Sequence, residues 1–512
     1  MFTFPWILSF FVGFLSLSQE ILWVRILGHA YGNVPQVFSF ILSSYLLGIA
    51  LGAAFGKRLC ARSTNLYASA ALVLCTAALF DALILKPAPF FAFASTQLLG
   101  LQAVLIALSA AIKSSLFPVV HQLGSDSSGP RLARSVSRIY FGNIMGSALG
   151  PLVTGFIALD RISVDACFAI SSGVCLALAA LSAAKGGRRS GLVATGVAIA
   201  AAAYLVFPLP ADDVGILANL SRWPITHYVA NRNGVIYSAP NFGGNAVYGG
   251  NMYDGMAVAN VDSNRNHLDR LYILGVLHAN PKHVLVVGMS SGAWTRAVEG
   301  FPTVETIDVV EINPGYVQLT RAYPELAPLL DDKRLRLHID DGRRWLKRHP
   351  AMKFDLIVQN TTWHFRANVS NLVSREYFGE LKTHLNPSGI VALNTTGSFD
   401  ILATGAAVFA HAYRYANFLY ASDVPLSPDL TRLATIHRPD GALFSLDSPV
   451  VPGSVVDALT RAKLDPAGPL VAKEGVGADI VSDDNMLTEY RHGEQFLWGV
   501  IDSLVRHPVP QF

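Results

Sequence analysis

Acidic residues are almost missing from the first 210 positions: Glu20, Asp81, Asp126, Asp160 and Asp165 are the five present, out of 36 in the whole chain. Such a stretch, in a chain that is 52% hydrophobic and 15% charged, excludes an ordinary soluble domain and reads as a membrane module. No basic segment precedes the first apolar stretch, which is itself of spanning length, so a cleavable signal peptide is not expected. Cysteine is absent after Cys175, and the four present (Cys60, Cys75, Cys167 and Cys175) all fall in the apolar part. That excludes thiol chemistry from the remainder and offers neither a disulfide framework nor a CxxC metal site; no metal is expected. The net charge of +3 comes without a basic stripe, so no nucleic acid is expected as a partner.

Seven apolar segments have about the 20-residue length that a bilayer core requires. They run from Phe4 to Leu27, Val37 to Phe55, Leu66 to Leu85, Phe90 to Ile112, Ile139 to Leu159, Val164 to Ala184 and Leu192 to Phe207. Two carry glycine at every fourth position, Gly48, Gly52 and Gly56 in one and Gly142, Gly146 and Gly150 in the other. This spacing flattens one helix face for close packing, and its recurrence hints at a duplicated unit. Glu20 lies in or near the end of the first span, with Arg25 as its expected partner. The loops after the second, fourth and sixth spans hold Lys57, Arg58, Arg62, Lys113, Arg131, Arg134, Arg138, Lys185, Arg188 and Arg189, against Arg25, Lys86 and Arg161 on the other side. The bias places those loops in the cytoplasm. An inner (plasma) membrane location is therefore expected, but seven crossings would put the C-terminal part outside, whereas a nucleoside ligand argues for the cytoplasm. The sequence leaves that side open.

Beyond residue 210 the pattern changes to alternating strands and helices. Short strands with glycine turns, Gly234 to Tyr237 and Ala246 to Gly255, read as a β-hairpin lobe, and a helix is expected from about Arg265 to His278. Strands come next at Val284, Thr306, near Leu335, Phe354 to Val358 and Ile390 to Leu393, which predicts a doubly wound parallel sheet with its ligand at the carboxyl ends. Val284 to Val287 runs into Gly288 and Gly292, and the next strand ends on Glu311, 23 positions after Gly288. The interval is close to the roughly 20 residues that separate a phosphate- or nucleoside-binding turn from a ribose-binding acid.

The strand-end motifs VVGMSSG, VVEINP, DDGRRWL, FDLIVQN, SNLVSREYF and SDDNMLTEY, with GNMYDG upstream, together resemble the spermidine synthase-like aminopropyltransferases. The spans with EILWVRIL and YLLGIALGAAFG resemble the membrane module of bacterial membrane-bound members of that group. The resemblance implies an N-terminal α-helical transmembrane bundle (residues 1–210, about seven spans), a small β-hairpin lobe (211–262), and a Rossmann-like methyltransferase/spermidine synthase-type α/β domain (263–512). It also implies that Gly288, Ser290, Gly292 and Glu311, with Asp340, Asp341 and Gly342 after the third strand, hold adenosine. The alternative for Asp340 and Asp341 is that they only cap the helix that begins at Gly342.

The departures from that family bear on function. The resemblance implies an acid in the glycine loop and another after the fourth strand, both serving the polyamine. Here Ser290 and Ser291 stand at the first place, and Gln359, Asn360, Thr361 and Thr362 at the second. An ammonium without an anionic partner is strongly disfavoured in a buried site. The next four residues are Trp363-His-Phe-Arg366, and Arg366 could clasp a carboxylate or phosphate. The candidate catalytic residues are His364, Asn360 and Asp254; the candidate substrate contacts are Tyr253, Gln359, Thr361 and Arg366. The expected activity is transfer or cyclisation of the spermidine synthase-like type on S-adenosylmethionine or its decarboxylated form. Release of methylthioadenosine and a non-standard acceptor, small or lipid-soluble, or none, complete the expectation. The alternative is a sensor or transporter that binds a nucleoside or polyamine without turnover. The lipid bilayer and a second copy of the chain are the other expected partners.

Overall fold

The computed structural model describes residues 3–84, 99–125, 131–187, 224–241, 243–360 and 363–491. The chain divides into two compact units, one holding the N-terminal helices and the other nearly all of 222–494.

The first unit consists of α1 (Phe4–Ala30), α2 (Pro35–Arg62), α3 (Leu66–Ile84), α4 (Leu99–Ser114), α5 (Leu116–Gly124), α6 (Leu132–Val153) and α7 (Val164–Gly186). Among the described residues six helical stretches are long and apolar enough to cross a membrane, α4 and α5 counting as one from Leu99 to Gly124. The described residues thus hold six of the seven expected spans; the seventh expected segment, 192–207, lies outside them. The fourth stretch also ends twelve residues later than the expected Ile112, because Lys113 does not end it. Its ammonium is buried in the bundle and bonds both oxygens of Asp81 on α3, each at 2.8 Å. Gln19 on α1 accepts from Lys113 at 2.6 Å and donates to Asp81 at 2.7 Å, and Ser171 on α7 donates to Asp81 at 2.7 Å. Lys113 is thus a bundle residue and not a loop cation. Glu20 forms no ion pair with Arg25 among the described residues.

The glycine stripes do what their spacing predicts. A Cβ on Gly48 or Gly52 would strike the backbone of α4 at Ala107 and Ala111, and one on Gly146 would strike α1 at Phe10. The two striped helices thereby pack backbone to backbone on their partners.

The second unit opens with a four-stranded sheet, β1 (His227–Asn231), β2 (Gly234–Asn241), β3 (Gly244–Gly249) and β4 (Met252–Met256), in that order. Gly250 and Asn251 both have positive φ, 55° and 66°, the conformation of a two-residue type I′ hairpin turn. That turn aims Tyr253 and Asp254 of β4. Next comes α8 (Asp269–Leu277), four residues shorter at its start than expected. Asn264 and His267 take left-handed φ values of 43° and 52°, which a helix cannot contain.

The main sheet has eight strands. β5 (His283–Val287), β6 (Thr306–Glu311), β7 (Leu335–Ile339), β8 (Phe354–Gln359) and β9 (Leu385–Asn394) are parallel, in spatial order β7-β6-β5-β8-β9. Then β11 (Phe418–Ser422), β10 (His411–Tyr415) and β12 (Asp465–Pro466) extend it antiparallel. The sheet is mixed, a correction to the all-parallel expectation, because β10 and β11 form a hairpin and not a crossover. Val284 and Val286 pack into the hydrophobic layer on one face of the sheet, and Leu285 and Val287 into the other, which is why the strand reads as an unbroken apolar run. The order reverses between β5 and β8, so a crevice opens there, beyond Val287 and Gln359.

Candidate active site

Gly288 leaves β5 with φ 85°, and a Cβ there would lie 2.6 Å from the carbonyl oxygen of Asn360 after β8. Only glycine allows both the left-handed turn and the close approach across the switch point. Gly292, φ 83°, is the N-cap residue of α9 (Ala293–Glu299). Between them Met289 donates its N–H to Glu311 Oε2 at 2.7 Å, while Asn313 N–H donates to Oε1 at 2.7 Å. Glu311 therefore ties the β5 turn to the end of β6. Burial pushes its carboxyl up to about 7, the backbone donors of Asn313, Met289 and Ile312 opposing and the charge of Asp254 assisting. A carboxylate has about four acceptor directions, so the group can take a hydroxyl beside these donors. Ile312 and Ile339, just past β6 and at the end of β7, are exposed large apolar side chains, a platform suited to the face of a flat base.

Asp340, Asp341 and Gly342 lie at the end of β7. Asp341 caps α11 (Gly342–Arg348) by accepting from Arg344 N–H at 2.7 Å; α10 is Gly315–Ala322. Asp340 pairs with Arg344 and, at 3.1 Å, with Arg348. Gly342 is small because a Cβ would meet Val287 Cγ1 at 2.6 Å. Both aspartates thus have local structural partners beside any ligand.

The two serines of the glycine loop face the small sheet. Ser290 Oγ donates to the carbonyl of Asp254, and Ser291 Oγ donates to that of Met256 at 2.8 Å. Where the resemblance implies an acid, this chain has two hydroxyls that fasten β4 to the loop. Asp254 receives a hydrogen bond from Tyr316 Oη, on α10. Burial raises its carboxyl to about 6 against the opposing effects of Tyr316 and of the Arg366 charge.

At the end of β8, Gln359 is fully buried and donates Nε2 to the Leu372 carbonyl at 2.8 Å. Asn360 Oδ1 lies 3.5 Å from Asn394 Nδ2. Thr361 lies outside the described residues. Trp363 Nε1 donates to the Tyr253 carbonyl at 3.0 Å, and the buried His364 donates its backbone N–H to Thr396 Oγ1 at 3.3 Å. Arg366 donates from Nη1 to the Gly249 carbonyl at 3.1 Å, and burial lowers its pKa against the pull of Tyr316 and Asp254. Tyr253, Asp254, Ser290, Trp363 and Arg366 are thereby brought together around the tip of β4, with Glu311 within electrostatic reach of Asp254. Tyr316, in GYVQL after the ribose-type acid, was not picked out by sequence; a lone tyrosine on a helix carries no periodic or motif signal.

Replacing Glu311 with glutamine is expected to weaken binding of methylthioadenosine roughly 10- to 100-fold, the worth of hydrogen bonds to a charged acceptor. The parent's affinity should rise with pH through about 7 as Glu311 ionises, and the Glu311→Gln protein should lose that rise. Calorimetric titration between pH 6 and 8.5 reads both; equal affinities at pH 8.5 would remove Glu311 from the nucleoside site.

Comparison with known proteins finds similarity in the C-terminal region. Residues 272–403 match the model of the spermine/spermidine synthase domain. A polyamine aminopropyltransferase of Lachnoclostridium phytofermentans is 31% identical over 157 residues, 30% of this chain and 55% of that protein. The spermine synthase of Arabidopsis thaliana is 33% identical over 114 residues, 22% of this chain and 32% of that one. The chain thus spans a third to about half of the length of these curated relatives. The crystal structure of spermidine synthase from Thermotoga maritima aligns over 49% of this chain and 88% of its own with 16% identity and a TM-score of 0.39. The C-terminal region of this chain carries a spermine/spermidine synthase domain.

Proposed function

We propose that the protein is a membrane-tethered transferase or cyclase that takes S-adenosylmethionine, or its decarboxylated form, and releases methylthioadenosine. The observation that carries this reading is Glu311, which accepts from the glycine-loop N–H of Met289 at the point where the sheet order reverses. A carboxylate so placed meets a ribose, and the exposed Ile312 and Ile339 beside it suit adenine. The sulfonium of such a nucleoside is already activated, so the protein has chiefly to position the attacking group and remove its proton. Asp254 is the carboxylate on the acceptor side, and a value of about 6 suits a base working near neutrality. His364 is the second candidate base, buried beside Phe365. With serines and amides at the two positions where the family resemblance implies acids, the acceptor is not a standard polyamine. The apolar helices anchor the domain at a bilayer and give access to a lipid-soluble acceptor.

Incubation of the purified protein with each nucleoside, followed by chromatography of the product, tests the proposal. Methylthioadenosine is the expected product. S-adenosylhomocysteine would replace alkyl transfer by methyl transfer, and binding with neither product would favour a sensor that does not turn over.

A further inference from the structure

One cation near the tip of β4 takes no part in the chemistry proposed for Asp254 and Glu311. Arg270 lies in the first turn of α8, and its guanidinium rests 5.7 Å from the centre of the Phe418 ring. Trp294 of α9, the helix after the glycine loop, packs on the same ring with centroids 5.1 Å apart. Among the described residues the guanidinium donates no hydrogen bond and pairs with no carboxylate, and its Nε is shut off from solvent without a partner. The adjacent acid does not bond it: Asp269 Oδ1 accepts from Asn264 at 2.6 Å and Oδ2 from Tyr415 at 2.7 Å, and Asp269 acts on the guanidinium through its charge alone. The backbone of Arg270 is fixed as well, since its carbonyl accepts from Tyr420 Oη at 2.7 Å. Phe418, the ring the guanidinium rests on, is paired in register with Asn394 at the carboxyl end of β9, and the guanidinium charge is felt by Tyr253 on β4, so the group stands at the strand-end side of the sheet, where the candidate site lies.

The Arg270 side chain is partly buried and its Nε is cut off from water without a partner, a cost that methionine or leucine packed on Phe418 would not carry. A guanidinium held there on an aromatic face is preorganised for a planar, bidentate anion. We propose that Arg270 receives a carboxylate of the substrate, so that the site takes an acid-bearing ligand where polyamine chemistry would require a cationic one. This inference rests on the proposed nucleoside site and deepens it. It differs from the expectation for Arg366, whose guanidinium already bonds the Gly249 carbonyl and lies near Asp254. The carboxylate has two chemical sources: the amino-acid tail of S-adenosylmethionine, or a separate acceptor acid.

Calorimetry on the full chain in detergent distinguishes them. The parent, Arg270→Met and Arg270→Lys are titrated with methylthioadenosine, S-adenosylmethionine and decarboxylated S-adenosylmethionine, and then, with methylthioadenosine bound, with 4-aminobutyrate. A loss of roughly 10- to 100-fold in S-adenosylmethionine affinity in Arg270→Met, with methylthioadenosine and the decarboxylated form unchanged, assigns the carboxylate to the nucleoside tail. Loss of 4-aminobutyrate binding alone assigns it to the acceptor. Arg270→Lys should recover part of either loss, since it keeps the charge without the fork. Unchanged methylthioadenosine binding reports that each variant is folded. If Arg270→Met binds all four ligands as the parent does, the assignment of Arg270 is overturned and the nucleoside site stands. If the parent binds no methylthioadenosine, the nucleoside reading falls and this inference falls with it.

Discussion

Replacing Lys113 with methionine is expected to destabilise the helical unit by about 3–5 kcal/mol, the usual consequence of leaving one member of a buried ion pair alone. Asp81 would keep Gln19 and Ser171 as hydrogen-bond donors, but its charge would have no counterion inside an apolar bundle. Methionine retains most of the length of the lysine stem, so a cavity contributes little. Removing both charges, with Asp81→Leu and Lys113→Met together, should recover much of the loss, because a pair replaced by apolar residues of similar size is often neutral. Unfolding in mixed detergent micelles gives the three stabilities. The two single losses should sum to at least about 2 kcal/mol more than the double loss, the signature of contacting sites. Single variants within about 0.5 kcal/mol of the parent would show that the pair contributes no more than an exposed one.

The same pair shows where sequence reasoning stopped. The apolar segments, the glycine stripes and the central parallel strands announce themselves through a pattern: glycine at every fourth residue for close helix packing, or a continuous apolar run for a strand buried on both faces, as in β5. A single buried charge has no period. Lys113 sits at the end of an apolar run, as loop cations do, and only the positions of Gln19, Asp81 and Ser171 on three other helices reveal it as interior. Glu20 drew attention by falling inside a span, yet the ion pair that forms uses Asp81. Arg270 was hidden for a related reason, since it opens a helix beside an acid that suggests a local pair, and Tyr415 of β10 bonds that acid instead.

The candidate site was legible in proportion to how local it is. Gly288, Gly292 and Glu311 belong to one strand–turn–helix–strand unit, and their spacing carries the geometry. Asp341 caps its own helix, also a local act that the sequence permits as an alternative. The roles of Ser290 and Ser291 are not local: their hydroxyls reach carbonyls some 35 residues earlier, on β4. That serines stand at the loop position could be read from the sequence, but what their hydroxyls hold could not. The antiparallel β10–β11 extension was missed because HAYRY and FLYAS lack the β-branched runs that marked the earlier strands.

Substituting Asp254 with asparagine should lower turnover by about 10²- to 10⁴-fold, the range for removing a positioned general base, while leaving methylthioadenosine affinity within about threefold. The pH dependence makes the claim specific. A base acts when deprotonated, so activity of the parent should rise with pH through about 6, where burial has moved the Asp254 carboxyl, and this limb should vanish in Asp254→Asn. The sign for stability is the opposite. A carboxyl raised above its unfolded value favours the fold while protonated, so that contribution is present at low pH and fades as pH rises through about 6. Tyr316 provides an internal check. Burial and the Asp254 charge keep its hydroxyl protonated, so it stabilises the ionised carboxylate as a donor. Tyr316→Phe should therefore shift the rising limb to higher pH without abolishing it. A parent rate that is flat between pH 5 and 7.5, or a Tyr316→Phe limb displaced downward, would remove Asp254 from the proton-transfer step. The role would then pass to His364, which is the other titratable group of the candidate set near the attacking side, and His364→Ala would become the decisive variant.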